Sequence, residues 1–182
     1  MRTADGWRGN WHGKIERSRT MFEKFGEFDS VEELNRAAAA QKAEGDEEAL
    51  LLLAEENGID REDAMDYLDG AVEEFATPSM AAAGKLEVEA QELKLEGMLA
   101  DWKDQILQMC MEDDRLCRAV RRKGASLEQC LGRILKSAFE KKSAVSERIV
   151  KAAGLRPPLY MGMPGRAEVR KIVLEYYMEG RK

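Results

Sequence analysis

Histidine occurs once in the 182 residues, cysteine three times and proline four times. A Ser-His or Cys-His nucleophile system would have only His12 as its base, in a stretch of Gly, Trp and Arg that gives an imidazole no anchor. Cys110, Cys117 and Cys130 stand too far apart for the paired spacing that closes a zinc site. All three fall on helical patterns beside apolar residues and read as reduced core thiols. No Asp-x-Asp-x-Asp-Gly loop and no Walker-type glycine loop is present. The expectation is a protein with no catalytic residue, no metal site and no cofactor. Apolar runs are short too: Ala49 to Ala54 falls far below the roughly 20 residues that span a bilayer. Residues 1 to 20 hold arginines and two tryptophans without the apolar centre of a secretory signal. No membrane partner and a cytoplasmic location are therefore expected.

What remains is a chain with 44% apolar and 35% charged residues, the balance of a folded, helix-rich protein. Its net charge of −6 conceals a segregation. Residues 27 to 74 carry 3 basic and 17 acidic groups, whereas residues 115 to 182 carry 17 basic and 6 acidic ones. A chain this bipolar is built for electrostatic encounter with partners.

Helix punctuation runs throughout. Ser30 with Glu33 forms a capping box before Ala37 to Ala40, and Gly45 ends that helix. Asp46 and Asp60 cap the next two helices, which end at Gly58 and Gly70. Thr77-Pro78 and the small residues Ala81 to Gly84 read as a connector. Leu86 to Ala90 alternates like a strand, although its glutamates favour helix. Met98, Leu99, Trp102, Ile106 and Met109 make one apolar stripe of a long helix. A helix from Asp114 to Lys123 follows. Ser126 with Gln129 caps another, whose face is Leu127, Cys130, Leu131, Ile134, Leu135 and Phe139. Ser146 caps a further helix before Pro157-Pro158, and a last helix begins near Pro164. The expected fold class is all-α: residues 1 to 20 a flexible extension, 21 to 76 an acidic helical module, 77 to 84 a linker, and 85 to 182 a helical bundle, basic from 115.

Two charged surfaces are candidate binding sites. Leu53 to Leu68 has helix-turn-helix spacing, yet its second helix presents Asp60, Glu62, Asp63, Asp66 and Asp69, which phosphates would repel. It reads as a plain helical hairpin or as an acidic face for a basic partner, such as a protein's own nucleic-acid channel. Arg115, Arg118, Arg121, Arg122 and Lys123 form the densest basic cluster, with Arg133 and Lys136 on the next helix. They either complement a helix dipole or contact phosphates or an acidic partner. Gly162 to Arg166 reads as a turn and helix start, or as an anion site at a helix N-terminus.

The stretch from Met21-Phe22-Glu23-Lys24-Phe25-Gly26 through Val31-Glu32-Glu33-Leu34, followed by Ala37 to Ala40, resembles anti-CRISPR proteins of mobile elements in gut Firmicutes. Phe75-Ala76-Thr77-Pro78, Asp101-Trp102-Lys103 and Glu175-Tyr176-Tyr177 continue the resemblance, which covers roughly residues 21 to 178. The part from Asp113-Asp114-Arg115-Leu116 to the final Tyr-Tyr also loosely resembles the PcfK-like domain of conjugation loci. The first resemblance implies a stoichiometric inhibitor that binds the guide-RNA-loaded type II CRISPR effector nuclease, with double-stranded DNA as a further partner, and blocks target cleavage. The second implies a DNA-handling accessory protein of a plasmid or conjugation locus.

Overall fold

Six of the described helix starts are fixed by a side chain (Ser30, Asp46, Asp60, Thr77, Asp113 and Ser126) that meets an otherwise orphaned backbone N–H, whereas Ser146 stands at its helix start without making that bond. In the computed structural model, which describes residues 24–179, the order is α1 (Val31–Glu44), α2 (Glu47–Glu56), α3 (Arg61–Asp69), α4 (Pro78–Glu92), α5 (Met98–Glu112), α6 (Asp114–Arg121), α7 (Leu127–Glu140), β1 (Ser143–Ala144), α8 (Glu147–Ala152), β2 (Tyr160–Met161) and α9 (Arg166–Glu179). The fold is all-α, as the caps and periodicity predict. Among the described residues the one strand pairing is antiparallel and two residues long, Ser143 opposite Met161 and Ala144 opposite Tyr160. The extension proposed for residues 1 to 20 lies outside the described residues.

The caps deserve their assignments with two refinements. Ser30 Oγ accepts from the Glu33 N–H at 3.2 Å, but Glu33 reaches back to the N–H of Asp29, one residue before the cap, at 2.6 Å. Ser126 Oγ accepts from the Gln129 N–H at 3.4 Å, while the Ser126 N–H is taken at 2.8 Å by the Tyr176 hydroxyl instead of by Gln129. A residue from the last helix thus completes the start of α7. Asp46 and Asp60 cap α2 and α3 by accepting from the Ala49 and Glu62 N–H groups.

The expected linker is not a linker. Thr77 is the N-cap of α4, with its Oγ1 accepting from the Met80 N–H at 3.2 Å, and Pro78 takes the first helical position. Proline is well suited there, since the N–H it lacks would have had no intrahelical partner. The small residues that suggested a connector serve close packing: a Cβ on Gly84 would lie 2.2 Å from the Asn57 carbonyl oxygen, and one on Gly58 only 2.4 Å from the Gly84 carbonyl oxygen. Backbones of the α2 terminus and α4 therefore touch directly, which no larger residue permits. Leu86 to Ala90, with its strand-like alternation, is the second half of the same helix.

Two cores meet on α4. Phe28, Leu34, Leu50, Leu53, Tyr67 and Phe75 build the first, to which α4 contributes Ala81. Trp102, Ile106, Leu116, Leu127, Ile134 and Tyr177 build the second, to which α4 contributes Ala82, Leu86 and Ala90. A single helix turning one face to each core replaces the anticipated domain boundary. Asn35 closes the first core, donating to the Ala76 carbonyl at 3.0 Å and accepting from the Ala76 N–H at 2.9 Å.

Polar groups join the two cores. Lys85, only 1% exposed, donates to Glu27 and, at 2.8 Å, to the Arg122 carbonyl. Glu89 accepts from the Leu127 N–H at 2.8 Å and stands 3.7 Å from Lys85. Burial pushes the Glu89 carboxyl above the usual carboxylate range, with Lys85 pulling against it. Glu27 also accepts from the Gly124 N–H at 3.1 Å.

Candidate binding surfaces

The basic cluster divides according to how α6 is set between the cores. Arg121 is 1% exposed and donates to Asn57 Oδ1 at 2.7 Å and to the Phe28 carbonyl at 3.4 Å. Burial lowers its pKa, opposed by the charges of Glu27, Glu89 and Glu33. The expectation that Arg121 belongs to an exposed binding cluster is corrected here: the residue is a cross-brace between the acidic module and the bundle. Its neighbours Ala119 and Val120 are buried with it, because this side of α6 packs inward.

Arg122 is half-buried and spends its guanidinium on backbone carbonyls, Tyr177 at 2.5 Å and Ala119 at 3.3 Å. It caps the end of α9 and is not free to grip a partner. Arg118 is 50% exposed and paired with Glu32 of α1. The Glu32 carboxyl is held below its usual range first by a backbone N–H at its helix start and then by Arg118. Arg115, 80% exposed, pairs with Asp113 at 3.0 Å. Lys123 is exposed and has no partner among the described residues.

Arg115, Arg118 and Arg122 share a cleft of about 310 Å³ with Ser30, Glu32 and Tyr177, at the junction of α1, α6 and α9. Two of these arginines are in exposed pairs, which water and salt screen and which exchange partners at little cost. Arg133 and Lys136 lie apart from this cleft on α7. The Arg133 guanidinium is 4.8 Å from the Tyr176 ring centre, and Lys136 is 3.8 Å from Glu140.

The acidic residues behave differently. Asp60, Glu62, Asp63, Asp66 and Asp69 are all exposed. Among the described residues none of them has an ion-pair partner, and only Asp60 has a structural task, as the cap of α3. Ala64 and Tyr67 turn inward and set the helix so that its acidic side faces solvent. Lys42 donates to the Tyr67 carbonyl and lies 4.5 Å over the Tyr67 ring, so it serves the helix end, and Arg61, the base on α3 itself, makes no ion pair with these acids among the described residues.

Sequence reasoning missed three features. Glu27, Lys85 and Glu89 escaped notice because a buried charge looks like any other until its burial is known. Glu32 as the counter-ion of Arg118 is a contact across 86 residues and has no local signature. Leu135 and Phe139, expected on the buried face of α7, are 51% and 70% exposed. Their spacing from Leu131 and Ile134 fits a broad stripe, but the buried part stops at Leu127, Cys130, Leu131, Ile134 and Ala138.

The three cysteines are buried and form no disulfide, and the Cys117 thiol donates to the Cys110 carbonyl at 2.8 Å. Burial pushes the Cys130 thiol up to about 12 and the Cys110 thiol up as well, so both stay protonated. Among the described residues no three His, Cys, Asp or Glu side chains are grouped to hold a metal ion, and no helix is long and apolar enough to cross a membrane. His12 lies outside the described residues. No family model, curated protein or solved structure matches this chain.

Proposed function

We propose that this protein is a non-catalytic inhibitor that binds a guide-RNA-loaded type II CRISPR effector nuclease and blocks target cleavage, with the acidic side of α3 as its principal contact. The carrying observation is the set of exposed carboxylates on α3 that have no ion-pair partner among the described residues. A nuclease of that class holds its nucleic acids in positively charged channels, and a rigid helix bearing closely spaced carboxylates mimics the charge of a duplex backbone there. Three-residue and four-residue spacings along α3 put Glu62, Asp66 and Asp69 on one side, about 5–6 Å from neighbour to neighbour.

Basic residues have a smaller part in this reading than the sequence suggests. Arg118, Arg115 and Lys123 remain available, whereas Arg121 and Arg122 are occupied inside the molecule. The cleft lined by Arg115, Arg118 and Arg122 also supports the DNA-handling accessory reading, in which phosphates displace Glu32 and Asp113.

A cleavage titration separates the two. The inhibitor reading expects cleavage by a guide-loaded nuclease to stop at near-equimolar protein. If several such nucleases cut normally at large molar excess while the protein still shifts duplex DNA, the accessory reading replaces it.

A further inference from the structure

Two opposite surfaces of this chain have no internal partner. The first is the outward side of α3, where Glu62 and Asp69 flank Met65 at spacings of three and four, Asp66 lies beside them, and Arg61 stands on the far side of Met65. Met65 is 36% exposed, and Val72, just past the helix end, is 44% exposed. This side is acidic with an apolar edge.

The second is a lobe formed by the end of α7 and the β1–α8–β2 excursion. Leu135 and Phe139 lie four residues apart on α7, both exposed. Gly162 presses against α7 so closely that a Cβ there would meet the Ala138 carbonyl oxygen at 1.7 Å. In an extended chain the neighbours of an inward residue point outward, and Met161 and Met163 are 50% and 65% exposed. Lys142 Nζ lies 4.5 Å from the Phe139 ring centre. Every carboxylate on this lobe is engaged: Glu140 with Lys136, Glu147 with Lys151, Glu168 with Lys141. Lys142, Arg148 and Arg156 have no carboxylate partner among the described residues. This surface is basic with an apolar centre.

We infer that the two surfaces fit each other between molecules, the acidic side of α3 on one copy docking against the basic lobe of a second. Charge complementarity selects the occupant: the lobe calls for a surface with carboxylates beside exposed apolar residues, and α3 of the same chain, with Met65 and Val72 next to its acids, is such a surface. Burial of Leu135, Phe139, Met161 and Met163 adds an attraction that salt does not screen, while the charges fix orientation and speed encounter. The contact is heterologous, so each docked pair still offers one free α3 and one free lobe, and association continues until a ring closes. A copy whose α3 is docked has no acidic side left for the nuclease, so self-association and inhibition compete. That last consequence rests on the proposed function; the docking itself does not.

Sedimentation velocity on the full chain, without any nuclease, tests the docking. The wild type is expected to exceed monomer mass at about 0.05 M salt and to dissociate partly as salt rises toward about 1 M. Asp66→Lys with Asp69→Lys reverses the charge of one surface, and Phe139→Ser with Arg148→Glu removes the other. All four residues are exposed, and unchanged thermal melting verifies that each variant folds. Each variant alone should run as a monomer. Mixed in equal amounts they should form a one-to-one dimer and nothing larger, because one intact α3 then meets one intact lobe. A monomeric wild type at about 100 times the working concentration, or a mixture that stays monomeric, overturns the proposal. So does a lobe that serves another occupant: a monomeric wild type that binds duplex DNA or anionic vesicles and loses that binding on Phe139→Ser with Arg148→Glu. A monomer that still stops cleavage defeats the docking alone and leaves the inhibitor reading standing.

Discussion

Helix α3 leaves its carboxylates to solvent, whereas helix α6 uses most of its arginines inside the molecule. On α3, five carboxylates face water and one of them has a structural task. On α6, Arg121 braces two cores, Arg122 caps α9, and Arg118 and Arg115 are paired. Residue counts alone make the two halves look like mirror images. The difference lies in whether neighbouring backbone and side chains have already claimed a charge, and unclaimed charge is what a partner meets.

That contrast depends on α4 holding the halves together, and the strongest way to break it is at the backbone contact. Gly84→Val places side-chain atoms where the Asn57 carbonyl already is. We expect a loss of about 3 kcal/mol or more in urea unfolding, at the upper end of overpacking costs. Next in size is Arg121→Ala, which leaves Asn57 Oδ1 and the Phe28 carbonyl without this donor. A cost of about 2–4 kcal/mol is expected for removing one member of such a buried polar set. The corresponding Arg118→Ala should cost under about 1 kcal/mol, since both partners of that pair are exposed. Equal effects at the two positions would contradict the division between braced and exposed arginines.

A smaller effect sharpens the account of the junction. The Glu89 carboxyl is raised by burial, so its contribution favours the fold below the ordinary carboxylate value and is lost as pH rises through the raised one. Glu89→Gln keeps an acceptor for the Leu127 N–H and does not ionise. Relative to wild type, its melting temperature should therefore climb as pH goes from about 4 to about 7. Glu32, Asp113 and Glu168 have lowered values and act in the opposite sense, losing their contribution as pH falls, but all three are well solvated and present in both proteins. A melting difference that stays flat with pH would show that Glu89 does not feel its burial.

Local chemistry made the helices legible, and long-range packing decided the rest. Ser30, Asp46, Asp60 and Ser126 announce helix starts because capping is settled within three residues. Thr77-Pro78 carries the same information, but proline both ends and begins helices, so the pair alone reads equally as a break. The acidic side of α3 is legible as charge, since Arg61 is the only base among its five acids from Asp60 to Asp69. Arg121 was not, because its exposure depends on Phe28 and Asn57, 93 and 64 residues away. Leu135 and Phe139 were misread for a related reason. Periodicity gives the width of an apolar stripe, and only the neighbouring elements set how much of it is covered.

In the proposed inhibitor the unclaimed carboxylates of α3 are the working surface. Asp63→Lys with Asp66→Lys, titrated against a guide-loaded type II effector nuclease in a cleavage assay, tests it most directly. The account predicts that the concentration needed for half-inhibition rises at least about tenfold, or about 1.4 kcal/mol, while thermal melting stays the same. A double variant that inhibits as well as wild type would contradict it.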